Sequence, residues 1–429
     1  MGDGKIGVAL VGAGAMGTVH AAIASGIDEL EIVGIVDPFP EATARVANRL
    51  ETAGFRRPSE YATLEEALIS PEVDLVVITT PSGLHVSQAT MALDAHRHVI
   101  LEKPLDVDLS RARVMADRAA RAAREGLVAT VISQHRFDAA SVIVADAVKS
   151  NAFGRVTTAI ASTAWWRPQS YYDSADWRGT WALDGGGALM NQGVHNVDLL
   201  LSFLGRPVEI SGQIALLAHD KVEVEDSVVA AIRFESGALA AVHATTAAYP
   251  GLATRLHVMG SLGSAIIEDD LLTYFHAAQS PEIDIGPMGL TSAEGNTAQS
   301  MLTNRGERIH RLGFDLPPAP AGQYSLDPTS HQLQYMNVVH AITSGTQPQV
   351  TIQHAYDAMV VVRSVYVAAT LNKPVQFADV AAGVYDDVQL SAIDESGRSP
   401  RDDPMTCDTT RARPGTHRSR CTGVRHRST

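Results

Sequence analysis

The chain has 429 residues, enough for two domains, and its 45% hydrophobic and 19% charged residues are an ordinary globular composition. A net charge of -14 argues against non-specific nucleic-acid binding and against an anionic membrane surface, and no apolar run approaches the roughly 20 residues that span a bilayer. The two cysteines, Cys407 and Cys421, lie in the polar C-terminal stretch, so the body carries no disulfide framework and no cysteine metal site. The first strand begins near Lys5, which leaves no room for a signal peptide, and a cytoplasmic protein is expected.

Lys5–Val11 (KIGVALV) is a continuous apolar run, as for a strand buried on both faces of a parallel sheet. Gly12-Ala13-Gly14-Ala15-Met16-Gly17 follows and opens a helix, which places a G-x-G-x-x-G fingerprint between strand and helix. In that reading Gly12 makes the turn, Gly14 admits a pyrophosphate, Gly17 lets helix pack on strand, and Ala15 and Met16 begin the phosphate-facing helix end. The next strand, Leu30–Val36, ends in Asp37, 20 residues past Gly17, where a carboxylate meets the adenosine ribose 2′-OH. Pro38, Phe39 and Pro40 follow, with no adjacent cation for a 2′-phosphate, so NAD is expected over NADP.

The alternation continues with a short helix at Leu64–Ile69 and a strand at Val73–Thr79. Ligands bind at the carboxyl ends of such strands, so Thr80, Pro81 and His85 are expected to line the cofactor groove. A helix over Val86–Ala95 leads to the strand His98–Leu101, ending in Glu102-Lys103-Pro104. Pro104 cannot continue a central strand and leaves Lys103 at the groove's rim. A helix over Arg111–Glu125 and a strand over Val128–Ser133 follow, the latter ending in Gln134-His135-Arg136; Gln134 and Arg136 are candidates for the nicotinamide side.

From Gly154 the period changes to two, with strands expected at 155–165, 208–218, 227–234, 238–248, 256–259 and 265–267. All four tryptophans fall between Trp165 and Trp181, in a chain only 5% aromatic. Aromatic faces stack on sugar rings and arginine grips hydroxyls or an anionic group, which makes Trp166, Arg167 and Tyr172 candidate substrate residues. Gly185-Gly186-Gly187 then opens a helix on which Asn191, His195 and Asp198 share one stripe at about 100° per residue. His135, His243 and His257 stand alone on expected strands, and no His/Asp/Glu spacing makes a convincing metal site. Residues 278–330 are a Gly/Pro/Ser-rich excursion, longer than an ordinary loop, suited to a lid, a substrate loop or a partner arm. Helices are expected at 330–344 and 354–371, followed by a disordered polar tail.

Gly12–Gly17, Asp37, Thr80-Pro81 with His85, Glu102-Lys103-Pro104, and Gly185–Gly187 with Gly193, His195 and Asp198 together resemble the Gfo/Idh/MocA family of sugar and cyclitol oxidoreductases, over roughly residues 5–378. The resemblance implies an α/β Rossmann domain (1–135) and an α+β domain with a large open, mainly antiparallel sheet (136–385), ahead of a disordered tail (386–429). It implies Lys103 and His195 as catalytic residues, Glu102 near the cofactor and a cis bond before Pro104. Many members have Asp four residues before the catalytic His; here that position is Asn191.

The expected reaction is hydride transfer between NAD and a secondary alcohol of a sugar, sugar derivative or cyclitol, with His195 as base and Lys103 stabilising the alkoxide. Asn191, Asp198, Trp166, Arg167 and Tyr172 hold the substrate in this reading. The alternatives are an NAD-dependent glycosidase of the same fold and a catalytically silent sugar sensor. A homodimer or homotetramer through the open sheet is expected, since a large flat apolar sheet face rarely stays bare.

Overall fold

The computed structural model describes residues 4–278, 290, 295–303 and 328–392. Six strands, β1 (Ile6–Val11), β2 (Leu30–Val36), β3 (Ser59–Tyr61), β4 (Leu75–Ile78), β5 (His98–Leu101) and β6 (Ala129–Val131), form an all-parallel sheet in the order 3-2-1-4-5-6. Every residue of β1 and β4 is buried, as their unbroken apolar runs require when helices cover both faces. The order reverses between β1 and β4, so the crevice at their carboxyl ends is where a ligand fits.

Eight strands build the second sheet: β7 (Val156–Ala164), β8 (Pro207–Ala215), β9 (Ser227–Phe234), β10 (Leu239–Thr245), β11 (Arg255–Gly260), β12 (Gly263–Glu268), β13 (Leu271–Ala277) and β14 (Val375–Gln376). Their order is 13-12-11-7-10-9-8-14, and the pairing is antiparallel except between β7 and β10. The strict alternation of β9, buried at Val228, Ala230, Ile232 and Phe234, turns one face inward. That face packs on the helices Val194–Leu204 and Ile352–Leu371. The other face bears Ile160, Val229 and Leu239, exposed by 43%, 62% and 53%.

Helix Ile352–Leu371 also packs on helix Leu109–Arg124 of the first domain. Helix Pro328–Ser344 goes further. Its Tyr335, Val338, Val339 and Ala341 join the core of Ile6, Val8, Leu10 and Ile35 beneath the parallel sheet. A C-terminal segment therefore completes the N-terminal domain, and a boundary at residue 135 does not separate the two cores.

Several elements escaped the sequence reading: β3, β13, and the helices Pro40–Thr52 and Ala139–Lys149. Residues 386–392, expected in the disordered tail, pack on the body instead. Asp386 pairs with Arg113 of the first domain's helix at 3.0 Å, Leu390 is buried, and Ala392 is buried beside Tyr172, Leu216, Val222 and Val224 of the second domain. Most of the 278–330 excursion lies outside the described residues, as do residues 393–429; residues 295–303 return to β13 through Thr297 N–H, which donates to the Phe275 carbonyl (2.7 Å). No helix among the described residues is long and apolar enough to cross a membrane.

Candidate active site

The glycine turn after β1 is built for backbone proximity. Gly12 has φ +95°, and a Cβ on Gly17 would land on the Gly12 carbonyl. A Cβ on Gly14 would meet nothing within 4 Å, and helix Ala15–Ser25 opens there without a side-chain cap. Its first N–H groups thus face open space, the arrangement a dinucleotide's phosphates use. Asp37 accepts the N–H of Ala13 (2.8 Å) and of Phe39 (3.0 Å), which fixes its carboxylate at the mouth of the turn. The sequence reading missed Arg45, whose guanidinium reaches the Ala13 carbonyl at 2.9 Å from one turn into the next helix. Gln134 offers a buried Oε1 that has no hydrogen-bond donor among the described residues, free for a ligand amide or hydroxyl. These features fit a nicotinamide dinucleotide.

Thr79 rather than Thr80 braces the turn, donating its hydroxyl toward the Gly12 carbonyl at 2.8 Å. Thr80 donates to Gln88 (2.6 Å), and Pro81 is exposed at the rim. His85 does not line the groove. It is 1% exposed, and its ring nitrogens meet the carbonyls of Pro104 and Thr80, each at 2.8 Å, stapling two strand ends together. Glu102 likewise turns inward, because its two oxygens are taken by His20 Nε2 (2.8 Å) and the Lys103 N–H (2.9 Å). Burial pushes this carboxyl up, but the His20 hydrogen bond and the charges of His20, Lys103 and His331 prevail and hold it at about 2. Tyr335 closes the chain with a 2.7 Å contact to His20 Nδ1. The peptide between Lys103 and Pro104 is cis.

In the second domain Gly185 has φ +77°, and a Cβ on Gly187 would overlap the Glu225 carbonyl. Glu225 pins this turn, accepting the N–H groups of Gly187 (2.8 Å) and Leu189 (2.9 Å) and the Tyr366 hydroxyl (3.0 Å). Burial raises its carboxyl to about 7. Leu189–Gly193 then forms a π-turn before the α-helix Val194–Leu204. The wider turn breaks the expected stripe. Asn191 turns back, donating its amide to Asp184 Oδ1 and the Gly186 carbonyl, both at 3.0 Å. Asp198 stays at the cleft wall beside His195, but Arg136 grips it at 2.6 and 2.7 Å and Ser133 donates to it. Both its oxygens are engaged there, so it anchors the helix rather than orienting His195.

Lys103 and His195, from different domains, line one cleft together with Pro104, Ser133, Asp198 and Met359. Burial, then the charges of Lys103, His135 and His331, hold His195 well below the ordinary imidazole range. His135 stands edge-on to it, the ring centroids 5.0 Å apart. The Nδ1–H of His135 is shared by Asp138 (2.8 Å) and Asp270 (3.1 Å). Burial opposes its ionisation, yet those two carboxylates lift it to about 10. Among the described residues, this trio is the group compact enough for a metal ion; here the imidazole N–H already fills the space between the carboxylates.

The aromatic loop is less open than its composition implied. Tyr172 is 6% exposed, with its hydroxyl on Thr246 at 2.8 Å and its ring in a small core with Leu216, Val222 and Val224, so it does not reach into the cleft. Trp166 is half-buried, bridged to Ala247 and edge-on to Tyr249. Arg167 lies over the rings of Trp165 and Tyr171. Asp184, His20 and His331 escaped the sequence reading. Each stands alone in its segment, and only the fold gives it a partner.

Comparison with known proteins agrees with this geometry. A family model described as "Oxidoreductase family, NAD-binding Rossmann fold" matches residues 6–131, and "GFO/IDH/MocA C-terminal domain" matches residues 142–266. The chain is 32% identical over 238 residues to 1,5-anhydro-D-fructose reductase of Ensifer adhaerens, covering 55% of this chain and 66% of that protein. It is 26% identical to inositol 2-dehydrogenase of Rhizobium meliloti (strain 1021), covering 71% of this chain and 91% of that protein. Among solved structures, the WlbA dehydrogenase of Bordetella pertussis in complex with NADH and UDP-GlcNAcA superposes with a TM-score of 0.69 at 28% identity, over 88% of this chain and 99% of that one.

Proposed function

Since the chain belongs to the Gfo/Idh/MocA oxidoreductase family, whose Rossmann domain binds NAD, we propose that it interconverts a secondary alcohol and a ketone on a sugar, sugar derivative or cyclitol, with NAD favoured over NADP. The observation that carries this reading is the meeting of Lys103 and His195 in one cleft. Bound NAD supplies the hydride acceptor, and NADH the donor. His195, kept neutral by burial and by the cations around it, receives the hydroxyl proton of the substrate. Lys103 places positive charge beside the oxygen as it becomes an alkoxide. Glu102 and His20 hold the backbone of Lys103 in place, and Arg136 with Asp198 anchors the helix that carries His195. Asn191, positioned by Asp184, and Trp166 and Arg167 of the loop supply the substrate contacts.

The relatives' substrates differ among themselves, which leaves the sugar open. An absorbance screen of cyclitols, aldoses, anhydro-sugars and nucleotide sugars with both cofactors tests the reading. A substrate-dependent change in the NADH band supports it, and the absence of any such change sinks it. The proposal keeps the cytoplasmic setting and places a homodimer or homotetramer on the exposed sheet face of Ile160, Val229 and Leu239. Val229→Glu should then lower the mass seen by light scattering; an unchanged mass removes that part.

A further inference from the structure

Two guanidinium groups in the loop between β7 and the glycine turn have aromatic neighbours but no acceptor among the described residues. Arg167 lies 5.1 Å from the ring centre of Trp165 and 5.3 Å from that of Tyr171. Arg178 lies 4.4 Å from Tyr171 and 4.5 Å from Trp177. The Nε atoms of both are buried without a hydrogen-bond partner, and neither guanidinium makes an ion pair or hydrogen bond among the described residues. The same loop offers Asp173 and Asp176, both exposed, yet neither turns to them. Asp184 feels the charge of Arg178, but its oxygens already serve the Gly179 N–H and the Asn191 amide. In a chain of net charge -14, two cations held around one tyrosine ring with no ion pair among the described residues are conspicuous.

A guanidinium stacked on aromatic faces keeps its edge free, and that edge matches a carboxylate or phosphate in a two-pronged bond. Stacking also strips water from the faces, so an anion bound at the edge meets less competition. The loop is braced: the Arg167 carbonyl accepts from His219 Nε2 at 2.8 Å, and Tyr172 is tied to Thr246. One carboxylate lies within electrostatic reach of both the seat and the reaction site. The loop ends at Asp184, which feels Lys103 as well as Arg178 and bonds to Asn191, one helical turn from His195.

We propose that Arg167 and Arg178, gathered around Tyr171, seat an anionic group of the substrate, so that the sugar turned over at Lys103 and His195 is an acidic one, a sugar carboxylate or phosphate. The inference rests on the dehydrogenase reading above. Its test is a binding measurement, so the two can fail separately. The full chain is titrated calorimetrically, in the presence of NADH, with glucuronate, glucose 6-phosphate and glucose; the first two separate carboxylate from phosphate. At least one acidic sugar should bind about tenfold or more tighter than glucose, with a preference that shrinks as salt rises. Arg178→Met and Arg167→Met should each remove most of that preference, while Arg178→Lys, a point charge without the fork, restores it only in part. His195→Ala, inactive if the dehydrogenase reading holds, should keep it. Glucose binding as tightly as both acids, no binding of either acid, or a preference that survives both methionine variants overturns the proposal. The salt dependence of the wild type remains decisive if a variant does not fold.

Discussion

The imidazoles of His135 and His195 meet edge to face, 5.0 Å between ring centres, although they come from distant segments of the chain. The first is held as a cation by Asp138 and Asp270, and the second is held neutral. A cation beside a base lowers the pH at which that base protonates. The acid limb of kcat/KM should therefore lie well below the ordinary imidazole value of about 6.5. Removing the cation with His135→Gln should move the limb upward toward that value, only in part, since burial and Lys103 remain. A profile that keeps its acid limb in His135→Gln refutes the coupling.

The same pair has a consequence for stability. His135 is raised in the fold to about 10, above its unfolded value of about 6.5. Its contribution is complete below pH 6.5 and disappears as pH climbs through about 10. The gap in Tm between wild type and His135→Gln should therefore narrow from pH 6.5 to pH 10; a constant gap refutes the linkage.

Lys103→Met and His195→Ala should each reduce turnover by roughly a hundredfold or more, with circular dichroism and Tm close to wild type. Both side chains are half-buried at the cleft, and no described hydrogen bond of the fold depends on either side chain. Rates near wild type in either variant would remove these residues from the chemistry.

Asn191 occupies the position where many relatives place Asp, and Asp184 explains why a carboxylate does not suit it. Asn191→Asp would bring a second carboxylate against the first, across a contact of 3.0 Å, with the Gly186 carbonyl also facing it. The pair can share one proton, so the fold should lose little at low pH and about 1–3 kcal/mol as pH rises and that proton leaves. Exchanging both residues, Asp184→Asn with Asn191→Asp, should recover most of the loss. Thermal melts at pH 5 and pH 8 check this, and a single variant as stable as wild type at both values contradicts it.

Breaking the buried Arg136–Asp198 pair from one side should be costly. Arg136→Met leaves the Asp198 carboxylate without its cation, a loss of about 3–5 kcal/mol for a buried pair. Chemical denaturation measures it, and a loss below 1 kcal/mol would mean that Ser133 or water compensates.

At the other end of the site, Asp37→Ser should raise the efficiency of NADP relative to NAD by about tenfold or more. It removes the charge that repels a 2′-phosphate and leaves Arg45 nearby to receive it. Parallel kinetics with the two cofactors, showing an unchanged ratio, would refute Asp37 as the discriminator.

The parts of this protein visible in its residues are those that act within a few positions of one another. A strand, a glycine turn and a helix end in Ile6–Ser25, the carboxylate closing β2, and the turn at Pro104 follow from backbone sterics and short-range periodicity, and so does the alternation of β9. Lys103 and His195 were legible for a related reason, because each ends or follows a contiguous motif. What the surrounding side chains do was decided by contacts between distant segments. His85 and Glu102 carry the polarity of site residues, but His85 meets the Pro104 carbonyl and Glu102 meets His20, 82 positions earlier. Asp198 meets Arg136 across 62 positions, and Ser330 of a late helix reaches Asp138 across 192. The π-turn at Leu189–Gly193 shows the limit most directly: the wider turn takes Asn191 off the stripe that an unbroken α-helix would give it, and the glycine turn before it is gripped by Glu225, from the segment just ahead of β9 and 36 positions past Leu189. Helical periodicity assumes a free helix, whereas packing and buried hydrogen bonds set this one.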